Sequence, residues 1–443
     1  MPVGFRFFEN NSKPTERKAI EMVNFSSIGE MPAVKARGAE NRRTSPGVRG
    51  APVAQRNFLA GGFSVSIHAE PSEIETEWRD LERHAVATFF QTFDWCEIWC
   101  RIAASRAGEI PIIVAGRNEA GELVFVLPMA ACRRFGGEHL GWLAQQFSSH
   151  NMGVYDRKAL AAVNSATLRA ILAGVGRYRR SIVAANFQGQ PAMWEGISNP
   201  FLQLNPMPAR NPLYVVDFPE GYDAAGGADS SKAARKKLRR KEARLREEGV
   251  GISIVAQSGA EKCRAFDAFA AQKSEQLSAQ GFDSIYDREE IAEFFQGLLS
   301  SERTGPACHA YASWLGDELI AATIGVRHRS RYFSIMLSMT TGPLQRFSPG
   351  ALLIRDCYKA VVDDGVTKID FGAGQSGLKA RWHCRQEDRF TSLLALRKAG
   401  WPAVLCLRIK AALEITVRSN RRSYQMVRHG LASLRLTRRK LSF

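Results

Sequence analysis

From position 63 the chain alternates. Phe63, Val65 and Ile67 fall on one side and Ser64 and Ser66 on the other, the period-two pattern of a half-buried strand. Residues 72–85 then take helical spacing, and Phe90-Gln-Thr-Phe-Asp-Trp95 leads into an aromatic helix over 95–102. Apolar runs at 110–115 and 123–128, separated by the turn residues of 118–121, predict a hairpin. An Ala/Leu-rich amphipathic helix is expected over 159–173 and a strand over 181–187. The prolines of 205–212 mark a linker or boundary.

A second series of the same kind starts at Tyr214. Ser230 and Ser231 precede a basic helix over 232–248 that Gly249 ends. A strand at 252–255, helices at 260–278 and 287–300, and strands at 308–315, 318–328 and 331–338 follow. Pro349-Gly350 opens a helix over 351–363. Beyond it come a strand at 367–371, a glycine-rich turn, a short helix at 377–383 and a strand at 391–396. Both halves mix helices with short hairpins, so the fold class is α+β, with two related units. The expected divisions are a disordered leader at 1–60, units at 61–205 and 213–400, and a basic helical tail at 401–443.

Composition excludes several classes. Of the 443 residues 45% are hydrophobic and 24% charged, the balance of a folded chain rather than a disordered or collagen-like one. No apolar run reaches the roughly 18 residues of a membrane span, which excludes a polytopic transporter. The formal charge of +17 is unevenly placed. Residues 1–60 carry a net +5, 232–248 a net +6 and 397–443 a net +11, which leaves the remainder at −5. A mildly acidic body with basic appendages argues against a nucleic-acid-binding fold and for basic arms near an anionic surface.

The eight cysteines contain no CxxC pair, and the eight histidines are scattered, so no metal site is expected. Reduced thiols fit a cytoplasmic protein. No continuous apolar core of an export signal forms near the N-terminus, where Met22 and Met31 are alternative starts.

Two segments carry candidate chemistry. In Arg346-Phe-Ser-Pro-Gly-Ala-Leu-Leu353 a tight turn opens a helix, whose first main-chain N–H groups attract phosphate. Ser348, Gly350, Ala351 and Leu352 would supply that mouth, and Arg346 a charge-assisted contact. An ordinary helix start with proline at its entry is the plainer alternative. In Ile369-Asp-Phe-Gly-Ala-Gly-Gln-Ser-Gly-Leu-Lys-Ala-Arg-Trp382, Asp370 ends a strand and a glycine-rich turn leads to Lys379. The two could converge to stabilise charge in an acyl-transfer intermediate; alternatively Asp370 caps the turn and Lys379 is solvated. Cys384, two residues past Trp382, reads as a packing residue, with a nucleophile as the alternative. No Ser-His-Asp set with recognisable motif context appears.

The turn Arg346-x-x-Pro349-Gly350-Ala351 resembles the pyrophosphate-binding segment of Gcn5-related N-acetyltransferases (GNATs), with Pro349 where that pattern has its first glycine. Phe90–Trp95, the basic helix, Ser348-Pro-Gly350, Asp370-Phe-Gly-Ala-Gly374 and Lys379-x-x-Trp382 occur in order. Together they resemble the CelD-type, BioF-like acyltransferases of cellulose and exopolysaccharide biosynthesis, tandem-GNAT relatives of the FemAB aminoacyltransferases. Leu378 stands where that family often has tyrosine. The resemblance implies two GNAT-like domains and direct attack by an amine or hydroxyl on acetyl-CoA or another acyl-CoA. Lys379 would stabilise the developing charge, with Asp370 organising the turn or accepting a proton. Gln375, Arg381 and Trp382 would face a small-molecule or glycan acceptor. A FemAB-type aminoacyltransferase and a catalytically degenerate scaffold of a polysaccharide-synthesis complex are the alternatives.

The basic helix reads as a solvated amphipathic helix with Ala233, Ala234, Leu238 and Leu245 on its apolar stripe, or as an anion-binding face. It lacks aromatic residues for base stacking. The apolar part of the tail, 404–417, suits either docking on the second unit or peripheral contact with the inner membrane.

Overall fold

The computed structural model describes residues 56–419 apart from 135, 210, 224–231, 252–253, 257, 302–306, 374–378, 380–381 and 383. The expected leader up to position 55 lies outside the described residues, as do Gln375, Arg381 and the tail beyond Ser419.

Regular structure begins earlier than the alternation indicated. Strand β1 (Asn57–Ala60) pairs antiparallel with β2 (Phe63–His68). Helices α1 (Glu75–Glu82) and α2 (Phe93–Trp99) follow, then β3 (Glu109–Arg117), β4 (Leu123–Arg134), β5 (Gly137–Trp142) and β6 (Val154–Tyr155). The helix expected over 159–173 starts later, as α3 (Ser165–Tyr178), because Asn164 accepts hydrogen bonds from the N–H groups of Ala166 and Thr167 and fixes its first turn. β7 (Ile182–Pro191), the small ladder β8 (Met193–Trp194) with β9 (Ile197–Ser198), and β10 (Pro206–Pro208) complete this part. Prolines are tolerated in β10 because it lies at the sheet edge.

The second series comprises β11 (Leu213–Asp217), α4 (Lys232–Glu247), β12 (Ile254–Ala256), α5 (Gly259–Ala279), α6 (Glu289–Ser300), β13 (Ala307–Leu315), β14 (Glu318–His328), β15 (Arg331–Met339), α7 (Pro349–Asp363), β16 (Lys368–Ala373) and β17 (Arg385–Glu387). The chain ends its described course with β18 (Arg389–Ala395) and α8 (Trp401–Ser419).

Two mixed sheets result. The first runs β1-β2-β3-β4-β5-β7-β18-β10, with β6 beside β4; the second runs β12-β13-β14-β15-β16-β11-β17. Each holds an antiparallel meander, then a helix, then one parallel pair: β5 with β7 across α3, and β15 with β16 across α7. The two units therefore share one topology. One strand crosses between them. β11, which follows the first unit in sequence, pairs with β16 in the second sheet, and β18, which follows the second unit, pairs with β7 in the first. The strand expected at 391–396, placed by sequence at the end of the second unit, thus lies in the first sheet.

The units also share a core. Trp95 and Trp99 of α2 meet Phe294 of α6 at ring distances of 4.9 and 5.0 Å, and Phe90 meets Phe333 of β15 at 5.5 Å. A separate cluster on the other face of the second sheet joins Tyr332, Ile369 and Phe371 to Leu353, Tyr358 and Val361 of α7.

Candidate active site

The site is built on the place where β15 and β16 part. Their parallel pairing runs through Arg331–Lys368, Tyr332–Ile369 and Phe333–Asp370 and stops there, although β15 continues to Met339 and β16 to Ala373. The cause is local. Gly372 sits at φ +69°, its N–H donates to Asp370 Oδ1 at 2.7 Å, and the register against β11 slips between Val215–Asp370 and Leu213–Ala373. A bulge of this kind bends the strand, and glycine is the residue that adopts such a φ without strain.

Lys379 covers the bend. Its Nζ donates to the carbonyls of Gly372 and Ala373 at 3.0 and 2.9 Å and lies 4.9 Å from the centre of the Tyr214 ring. The side chain is buried rather than solvated. Burial pushes its pKa down from 10.5 to about 8, with Asp370 and Cys384 pulling the other way.

Asp370 is fully committed. Besides Gly372 N–H, it accepts from Arg331 Nη2 at 2.6 Å and faces His150 Nε2 at 3.1 Å. Burial opposes its charge, but His150 and Arg331 outweigh that and hold the carboxyl well below the usual range. Burial lowers the pKa of His150, so the ring is neutral at physiological pH. With Nε2 against a carboxylate, the ring proton belongs there, and Nδ1 accepts from Ser149 Oγ at 2.9 Å. Arg331 also reaches Glu387 at 3.2 Å and stacks on Trp194 at 4.5 Å. Buried Arg389 of β18 donates to the carbonyls of Asn211 and Ser149. Burial lowers its pKa to about 10, so it remains charged. Arg331 thus lies between Asp370 and Glu387, and Glu387 in turn meets Arg385 at 3.0 Å.

His150, Arg331 and Arg389 were not singled out from the sequence. The loop Ser148-Ser-His-Asn151 was visible as polar residues between apolar runs, and that is the only local signal. Thr88 Oγ1 and Gln91 Nε2 hold it by donating to His150 O, and Gln91 also donates to Asn151 Oδ1 at 2.7 Å.

The mouth of α7 differs from the expectation. Pro349 has no N–H, and the N–H groups of Ala351 and Leu352 already reach Ser348 O at 3.0 and 3.3 Å. Gly350 serves close packing: a Cβ there would stand 3.2 Å from Met339 Sδ. Arg346 is 65% exposed, pairs with Glu248 at 3.3 Å and lies over Phe347. Its side chain does not converge on the helix mouth. The cation that does is Lys241 of α4, whose Nζ donates to Ser348 Oγ at 2.7 Å. Ser348 itself is left-handed, at φ 60° and ψ 51°. α4 is docked by Leu245 and Leu238 against Phe347, Leu352 and Ile320, and by Glu242 with Arg355 at 2.7 Å. Arg240 and Arg244 stay exposed.

Trp382 requires a correction. It is buried among Tyr358, Phe371, Tyr222 and Phe218, with ring distances of 5.1 to 6.5 Å, so it is a core residue rather than an acceptor contact. A large aromatic in a helix-like segment beside a glycine-rich turn gives the same sequence signal in either role.

Comparison with known proteins bears on the same region. Residues 232–380 match the acetyltransferase (GNAT) domain family. No curated protein matches the sequence. The fold is similar to the crystal structure of FemX, at 12% identity over 74% of this chain and 96% of that one, with a TM-score of 0.51. Also similar are the C-terminal domain of a putative lysylphosphatidylglycerol synthetase from Agrobacterium fabrum (13% identity, 79% and 97% covered, TM-score 0.45) and a tandem GNAT protein from the clavulanic acid biosynthesis pathway (11%, 75% and 98%, 0.44). The stretch from the basic helix through Lys379 thus matches the GNAT acetyltransferase domain family, in a chain whose fold is similar to that of FemX.

Proposed function

We propose that this protein is an acyl-CoA-dependent acyltransferase that works by direct transfer, with acetyl-CoA as the first candidate donor. The parting of β15 from β16, with a buried ammonium at the bend, carries the reading. A gap between parallel strands admits the thioester arm of the donor. The acceptor amine or hydroxyl attacks the thioester carbonyl; a C–N or C–O bond forms, the C–S bond breaks, and the proton leaves with the CoA thiol. Lys379 stabilises the oxyanion that develops. Asp370, already ionised and hydrogen-bonded, holds the turn and keeps Lys379 in place rather than taking the proton.

Lys241 supports the donor assignment. An ammonium at a helix N-terminus is unfavourable, by about 0.3–1 kcal/mol, because the helix end is itself positive. A diphosphate between Lys241 and the α7 mouth turns that repulsion into attraction, and main-chain N–H groups play a smaller part than the family pattern implies.

The acceptor we propose is a glycan or small-molecule intermediate of exopolysaccharide or cellulose assembly, with the protein stationed at the cytoplasmic face of the inner membrane. For the aminoacyl-tRNA-dependent alternative, a long protruding helical hairpin would be expected, whereas α5 contributes Phe266 and Phe269, and α6 Phe294 and Phe295, to the shared core. Release of thiol from acetyl-CoA, followed with a panel of amines and sugars, tests the reading. Turnover lost in Lys379→Ala, with an acetyl-CoA-induced rise in Tm in the parent protein, is the expected result. No rise in Tm and no turnover with any acyl-CoA would leave the scaffold reading.

A further inference from the structure

Helix α8 is half docked and half bare. Ala403 and Val404 are buried, and Leu407 packs with Val404 against Val183, Leu393 and Met207 of the first sheet. On the other side Trp401, Leu405, Ile409 and Leu413 are 65, 58, 51 and 60% exposed. These are four of the seven exposed large hydrophobic side chains among the described residues.

The four recur every fourth residue. At about 100° per residue each step advances the stripe by about 40°, so all four fall within an arc of about 120°. Pro402 and Ala412 share that arc, Cys406 lies about 20° beyond it, and all three are exposed too. Exposed Arg408, whose Nη2 also reaches Leu393 O at 3.5 Å, stands outside one border by about 20°, and exposed Lys410 outside the other by about 60°. A bare apolar face bordered by cations on both sides suits a surface that is hydrocarbon beneath and anionic above. The sequence continues the theme: residues 415–443 hold eight Lys/Arg and no Asp/Glu. No helix among the described residues is long and apolar enough to cross a membrane.

We infer that α8 lies flat on an anionic lipid bilayer, Trp401, Leu405, Ile409 and Leu413 entering the acyl-chain boundary while Arg408 and Lys410 meet lipid phosphates. The inference gives a surface to the inner-membrane station proposed above and does not depend on the acyl-transfer chemistry. A second copy of the chain would cover the stripe but would set the bordering cations of one helix against those of the other. The basic tail adds attraction that falls with salt.

The test is sedimentation of the full chain with phosphatidylcholine vesicles, with and without phosphatidylglycerol, at low and high salt. The parent protein should bind the phosphatidylglycerol vesicles. The triple variant Trp401→Ser, Leu405→Ser, Ile409→Ser should lose at least about tenfold in affinity with an unchanged Tm, since all three side chains are exposed. Truncation after Ser419 should weaken binding without abolishing it. Equal binding by the triple variant, or loss on truncation alone, would assign lipid binding to the tail and overturn the role of α8. A dimer in sedimentation velocity that the triple variant dissolves, without vesicle binding, would also overturn it. Thiol release with a soluble acceptor is measured in parallel, so that failure of lipid binding and failure of catalysis are read separately.

Discussion

His150 Nε2 stands 3.1 Å from Asp370 Oδ2, and the two residues belong to different units of the chain. The contact ties the first unit's loop to the strand that bears the bend. Removing one partner of such a buried set leaves the others uncompensated. Asp370→Asn should therefore cost about 3–5 kcal/mol, because Arg331 loses its buried counter-charge. His150→Ala should cost less, about 1–3 kcal/mol, since the neutral ring contributes a hydrogen bond and not a charge. Urea unfolding of both variants checks the ranking.

The same carboxyl fixes a pH dependence. Its folded pKa is depressed, so its stabilisation is present above the ordinary carboxylate range and is lost as pH falls through the folded value. Stability of the parent protein should decline below about pH 4, with a shallower decline in Asp370→Asn. Equal acid slopes in the two proteins would contradict this.

Lys379 titrates with the same sign in a higher pH window. A folded pKa of about 8 lies below the ordinary 10.5, so the unfolded chain holds more protons between those values and this group makes stability rise with pH there. Its ammonium is lost over the same interval. Turnover should fall above about pH 8, and Lys379→Arg should move that limb upward.

Lys241→Ala should raise KM for the acyl-CoA by roughly three- to tenfold with little change in kcat, as expected for a charge that binds the donor in ground and transition state alike. The effect should shrink as salt is added. A drop in kcat at unchanged KM would place Lys241 elsewhere in the chemistry.

Trp382→Ala should behave as a core deletion, costing about 3–5 kcal/mol of stability. Acetyl-CoA should still raise the Tm of whatever folded protein remains. Gly372→Ala should cost about 1–2 kcal/mol through its left-handed backbone and should disturb the bend itself.

Much of the fold was legible where periodicity alone decides. The strands of the second meander and α5 to α7 fall within a few residues of their expected places, since each buries one face and the alternation records it. β1 was missed because Asn57–Ala60 holds a single buried residue and pairs along a sheet edge. Sheet membership is not a local property: nothing in Arg389–Ala395 tells that it lies beside β7 rather than β16. Asp370 and Lys379 were visible as a carboxylate and an amine flanking a glycine-rich turn. His150, Arg331 and Arg389 were not, because what distinguishes them is a neighbour 39 to 240 positions away. Trp382 and the α7 mouth show the reverse case, in which a motif was read correctly as a pattern but its side chains face the interior or one another.

The crossing of β18 into the first sheet governs how this chain can be divided. A fragment cut at the proline-rich connection and ending before Arg389 would carry a complete second sheet, yet it would strip the first sheet of the strand between β7 and β10. An N-terminal fragment would face the converse problem, exposing an unpaired edge and the faces of Trp95 and Trp99 that α6 covers. Co-expressed halves would have to reassemble, and either alone invites aggregation. In this chain the covalent order and the cooperative folding unit do not coincide, so neither half is a free-standing module.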